Sequence, residues 1–209
     1  MPGAPLTTAS SRNGSMSRLR ARQLTWMIAG GFLIAAAVVG ALASSPLWYV
    51  VSAWLGAVLY AASFLLFALG LQRSGSVTDR HPVGTTALVL LGLWSIALPV
   101  VQSAGIGASL GQSVWTVEAL ARFALALVAV VQIGRARVVP GHWRWAPAFT
   151  LAVVALSWVA GELGLNVPAE GWFFVDALIR LSAGVFLGVI AIVLGIRASV
   201  RTVIIAPTP

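Results

Sequence analysis

Four charged side chains stand inside stretches that are otherwise apolar: Glu118 and Arg122 in one, Asp176 and Arg180 in another. Each acid precedes its arginine by four residues, so on a helix the two share a face in the more favourable order. A charge at the centre of a membrane helix costs roughly 2.5–3.5 kcal/mol on insertion scales, less towards the interface. Such residues need either partners or a purpose. Three arrangements answer that need. Each helix can neutralise its own pair. Glu118 can pair with Arg180, and Asp176 with Arg122. Or the four can present charge to a small polar or zwitterionic solute, a proton-coupled role for Glu118 or Asp176 being one form of this. Glu162 and Gln102, near the ends of two further apolar segments, are expected to join the cluster. The candidate substrate-binding set is therefore Glu118, Arg122, Asp176, Arg180, Glu162 and Gln102.

Other chemistry has little to work with. The chain has no cysteine, and all 13 of its basic residues are arginine. Thiol catalysis, disulfides and Schiff bases are thereby excluded. Both histidines, His81 and His142, fall between apolar segments. No His-Glu-x-x-His, phosphate-loop or dinucleotide fingerprint is present. We expect no metal, no cofactor and no catalytic residue. One enzymatic option remains, Glu118 or Asp176 acting on a lipid head group. Glu118-x-x-x-Arg122 resembles part of the Glu-Glu-x-x-x-Arg box of bacterial intramembrane CAAX-type proteases. Val117 replaces the first Glu and the membrane histidines of that family are missing, so the match is rejected.

The elements that must position these charges follow from composition. The 209 residues are 59% hydrophobic and 9% charged, against about 25% charged in soluble domains. Six blocks reach the roughly 20 apolar residues that a membrane helix needs, at about 24–43, 48–71, 85–104, 113–133, 146–165 and 172–196. None shows the alternation of a β-barrel strand. The chain is expected to be an all-α, polytopic membrane protein, a six-transmembrane-helix bundle over 23–201. Residues 1–22, rich in Ser, Pro, Gly and Arg, look like a disordered basic tail, and 202–209 a second short tail. Ala41-Leu42-Ala43 resembles a signal-peptide cleavage site, but the apolar block before it exceeds the usual signal length of about 7–15 residues. A retained first helix is expected.

Arginines fix the expected orientation. Arg12, Arg18, Arg20 and Arg22 precede helix 1, and Arg73 and Arg80 follow helix 2. Arg135, Arg137 and Arg144 follow helix 4, and Arg197 and Arg201 follow helix 6. The other three connections have none, which by the positive-inside rule puts both termini in the cytoplasm. Trp48, Trp115 and Trp172 fall near outer ends, and Trp26, Trp143 and Trp145 near inner ends, as interfacial indoles should. Trp54, Trp94 and Trp158 lie deeper, as packing residues. On this frame the four charges occupy the outer half of the bilayer. Abundant Ala, Gly, Val and Arg without Lys points to a GC-rich bacterium and its cytoplasmic membrane. The net charge of +8 is accounted for by orientation, so no nucleic-acid partner is expected.

Helix 6 carries Asp176, Arg180, Gly184 and Gly188 on one stripe, and Gly184-x-x-x-Gly188 lets another backbone approach closely. The matching stripes are Glu118, Arg122 and Ala126 on helix 4, and Ser52, Gly56 and Tyr60 on helix 2. Helices 2, 4 and 6 are expected to turn these stripes towards one another, with Gly184, Gly188, Ser52 and Gly56 as packing residues. Val117 to Arg122 and Val175 to Arg180 share a Val-acid-Ala-Leu-x-Arg pattern, so three repeated hairpins are an option. Six helices, this length and inward termini resemble the substrate-binding subunits of energy-coupling-factor vitamin transporters. That resemblance implies a docking stripe on helix 1, for which Gly31-x-x-x-Ala35 and Ala36-x-x-x-Gly40 could serve. The expected function is small-solute binding or transport through the polar cluster. Its rival is a non-catalytic membrane subunit, a homo-oligomer or the partner of another membrane protein, whose ion pairs only fix packing.

Overall fold

A computed structural model describes residues 8–42, 46–71, 76–78, 81–105, 111–136, 138–139, 141–162 and 169–204. Among these residues six α-helices follow one another: α1 (Thr8–Ala41), α2 (Pro46–Leu69), α3 (Pro82–Ser103), α4 (Gln112–Ala136), α5 (Ala146–Glu162) and α6 (Ala169–Ile204). A short 3₁₀ turn, Gly141–Trp145, leads into α5. Six segments of these helices, the fifth including part of the 3₁₀ turn, are long and apolar enough to cross a membrane, starting near Arg20, Val50, Pro82, Ser113, Trp143 and Phe174. They match the six blocks read from sequence to within a few residues. The backbone is helical from Thr8, well inside the stretch that composition assigned to a disordered tail. Arg20 and Arg22 thus extend the first span.

Local chemistry explains the helix ends. Pro46 and Pro82 occupy first-turn positions, where the missing N–H leaves nothing unpaired. Gly70 (φ 67°) takes the left-handed conformation just past α2, and its N–H bonds back to Leu66 O at 2.8 Å. α3 continues through Pro99, which removes the donor that Ser95 O would otherwise receive.

The helices pack chiefly on their sequence neighbours, and α6 returns to pack on α1, closing a ring. The α1–α6 seam is the most intimate and the α4–α5 seam the thinnest. Glycines explain the first. A Cβ on Gly30 would lie 2.6 Å from Gly188 O, and one on Gly188 would lie 2.7 Å from Gly30 O. A Cβ on Gly184 would meet that of Ala37 at 2.7 Å. Gly184 and Gly188 therefore seat α6 on α1. The α2, α4 and α6 stripes are not packed as neighbours, because α1, α3 and α5 stand between these helices, yet Tyr60 of α2 brings its hydroxyl beside Gly184 of α6. Gly56 also faces α1, at Ala36 O, and Ser52 is buried with its hydroxyl on Trp48 O at 2.6 Å. α1 and α2 are further tied by Ser63 Oγ donating to Ala29 O at 2.9 Å. The expected hairpins are unequally packed: α1 and α2 associate closely, α5 and α6 sparingly.

Large apolar side chains point outward from every helix, among them Leu55, Leu93, Phe123, Phe149, Leu156 and Phe174. A water-exposed surface of that kind would associate; a lipid-exposed one is what a membrane span requires. The chain is an integral membrane protein on this ground.

Candidate functional site

The ring encloses a cavity of about 660 Å³ to which all six helices contribute. That volume lies within the roughly 300–1,000 Å³ range of small-molecule sites.

One end of the cavity is closed. Trp26, Val77, Ile133, Val139 and Leu194 form a buried apolar cluster there, with Trp143 packed against it. The two arginine-rich connections supply Val77 and Val139, and hydrogen bonds hold both in place. Val77 N donates to Phe67 O at 3.0 Å and Ser76 Oγ to Ala68 O at 2.7 Å. Ser76, Thr78 and Thr85 hydroxyls form a chain at 3.1 and 3.0 Å. Arg22 Nη2 donates to Val138 O at 2.7 Å, and its guanidinium lies 4.8 Å from the Trp26 ring centre. Trp26 is only 3% exposed, so it is a core residue of this floor and not the interfacial anchor that its position suggested. Trp145 is exposed and fits an interfacial role.

The other end is lined by exposed residues, Gly40, Ala41, Ala177 and Arg180. Here the charged side chains lie. Arg180 Nε donates to Asp176 Oδ2 at 2.7 Å, and Ser157 Oγ of α5 lies 3.3 Å from Asp176 Oδ1, its one proton shared with Val154 O at 3.0 Å. Arg122 pairs with Glu118 on α4, and Trp94 Nε1 of α3 donates to the same Glu118 oxygen at 2.8 Å. Of the open arrangements, the structure has the self-paired one: each helix neutralises its own acid, and one neighbouring helix adds a donor. That division follows from the ring, because α5 separates α4 from α6.

Arg122, Asp176 and Arg180 line the cavity, whereas Glu118 does not. Glu118 is directed to the α3 side by Trp94. Gln102 is exposed near the end of α3 and is not a lining residue. Glu162 ends α5, and its side chain lies outside the described residues. Trp94 and Ser157 were not read as members of the cluster. Trp94 stands among apolar residues and gave only a packing signal. Ser157 resembles the many small residues of these spans. Tyr60 also lines the cavity, its hydroxyl beside Gly184. The stripe expected for partner docking on α1 is split: Ala36 is buried against Gly56, while Gly31 and Gly40 face open space.

No protein-family model matches the chain, and neither a curated protein nor a solved structure matches it. Function must be argued from the cavity alone.

Proposed function

We propose that this membrane protein binds a small solute in the central cavity, as a binding or transport component, with Asp176, Arg180 and Arg122 as the polar contacts at its mouth. A cavity of ligand size, closed at one end and charged at the other, carries this reading. Positive-inside placement of Arg20, Arg22, Arg135, Arg144 and Arg197 sets the closed floor at the cytoplasmic side. The mouth then faces outward, in the outer half of the bilayer of a bacterial cytoplasmic membrane. Transport would require the Val77 and Val139 segments to move aside.

Native mass spectrometry in mild detergent tests the proposal. The wild type should carry a small molecule whose retention changes in Asp176→Asn while the protein remains folded, since the amide conserves volume and can keep the Ser157 contact. A bare wild-type chain would count against it.

A second reading has its own support. Trp94–Glu118 and Ser157–Asp176 each join two helices, so the ion pairs serve packing in an accessory subunit. That reading predicts co-purification with another membrane protein, or a homo-oligomer, and unfolding of Asp176→Asn.

A further inference from the structure

We propose that the solute is an amphiphile: an alkyl chain lying in the cavity, with an anionic head held at Arg180 and Arg122. This rests on the cavity being a binding site, as argued above, and adds the ligand's chemical class.

The wall below the mouth is apolar. From Arg180 to Leu194 the cavity follows α6 for 14 residues, or roughly 21 Å at 1.5 Å per residue. The serine and threonine hydroxyls that reach its lining are engaged elsewhere. Ser95 Oγ donates to Leu91 O and Thr150 Oγ1 to Ala146 O, both at 2.9 Å. A polar or zwitterionic solute of this length would leave its own groups unpaired against Leu33, Phe64, Leu91 and Leu187, at several kcal/mol each in such surroundings. An alkyl chain loses nothing there.

The mouth presents guanidinium donors to an anion, although its two ion pairs sum to zero charge. Its lining has two guanidinium groups and one carboxylate, because Glu118 is withdrawn towards Trp94. Both oxygens of Asp176 already accept hydrogen bonds. Arg180 uses only Nε for its pair; among the described residues its two terminal nitrogens have no partner, and its side chain is 57% exposed. Those nitrogens form the fork that binds a carboxylate or phosphate through two parallel bonds. The Tyr60 hydroxyl is a further donor just below.

The route of entry agrees. The thin α4–α5 seam lies between two helices that line the cavity, and α5 exposes Phe149 and Leu156. An amphiphile dissolved in the membrane can slide in sideways, head at the interface and chain in the apolar interior.

The test is retention in phosphatidylcholine nanodiscs, read by native mass spectrometry after release. Four probes are offered separately: palmitate, phosphatidylglycerol, hexadecylphosphocholine and hexadecyltrimethylammonium. Either anion should be retained at least ten-fold over the zwitterion and the cation, and which anion wins tells whether the source is a free amphiphile or a membrane lipid. Arg180→Gln should abolish the preference. Arg180→Lys keeps the charge and the partner for Asp176 but lacks the fork, and should weaken retention several-fold in a folded protein. Equal retention of all four, or preference for the zwitterion or cation, overturns the anionic assignment and leaves solute binding standing. Retention of none overturns it too; a native small molecule whose retention still changes in Asp176→Asn would then show that solute binding survives without it.

Discussion

The indole of Trp94 reaches across from α3 to donate to Glu118 of α4 at 2.8 Å, on the same oxygen that takes the Arg122 guanidinium. Glu118 is thereby held with only 15% of its side chain exposed, and Arg122 is left as the group of that pair that borders the cavity. Interhelical hydrogen bonds in membranes average about 0.6 kcal/mol and reach about 1.7. Trp94→Phe should therefore lower stability by about 1 kcal/mol, in denaturant titration of the reconstituted protein. Glu118→Ala should cost less in the Trp94→Phe background than in the wild type if the two residues act through this bond. Full additivity of the two single effects would show that they do not.

Gly188 carries a larger effect. A methyl group there would sit 2.5 Å from Ile34 Cγ1 and 2.7 Å from Gly30 O, and backbone cannot swing aside as a side chain can. Overpacking of this kind typically costs about 1–3 kcal/mol. Gly188→Ala should thus destabilise the protein by that amount, while Gly31→Ala, with open space at its Cβ, should be near neutral in the same titration. Equal effects at the two sites would place the α1–α6 contact elsewhere.

The spans were legible because lipid imposes a length of apolar sequence that nothing else in the chain imitates. Their neighbours were not. In a soluble helix the buried face is the apolar one, but here Leu91, which lines the cavity, and Leu93, which faces outward, are chemically alike. The Gly184 and Gly188 stripe suggested a close backbone approach, yet a glycine pair does not say which helix approaches. The four-residue spacing of Asp176 and Arg180 gave the pairing geometry. It gave no hint of Ser157, which comes from a helix whose position only the ring defines. The floor was hidden for a different reason: Val77 and Val139 belong to short connections, where sequence alone suggests solvent.

Orientation depends on arginine placement and can be read directly. A phosphatase reporter, active only outside the cytoplasm, should be inactive when fused after Gly75. It should be active when fused after Gly105, at the opposite end of α3. The reverse pattern would turn the cavity mouth towards the cytoplasm.

The absence of cysteine makes the chain a ready background for single-cysteine accessibility. Ala177→Cys lies at the exposed mouth, Val130→Cys on the buried wall, and Val139→Cys in the floor, where Val130 and Val139 are 8% and 7% exposed. A membrane-impermeant thiol reagent added from outside should label Ala177→Cys quickly and Val139→Cys from neither side. Val130→Cys should react with small methanethiosulfonate reagents from outside only, more slowly than Ala177→Cys, because the cavity narrows to a closed floor. An amphiphile seated in the cavity should protect Val130→Cys, whereas one adsorbed only on the lipid-facing surface should not. Labelling of Val139→Cys from the cytoplasmic side in the resting protein would mean that the hydrogen-bonded floor does not close that end.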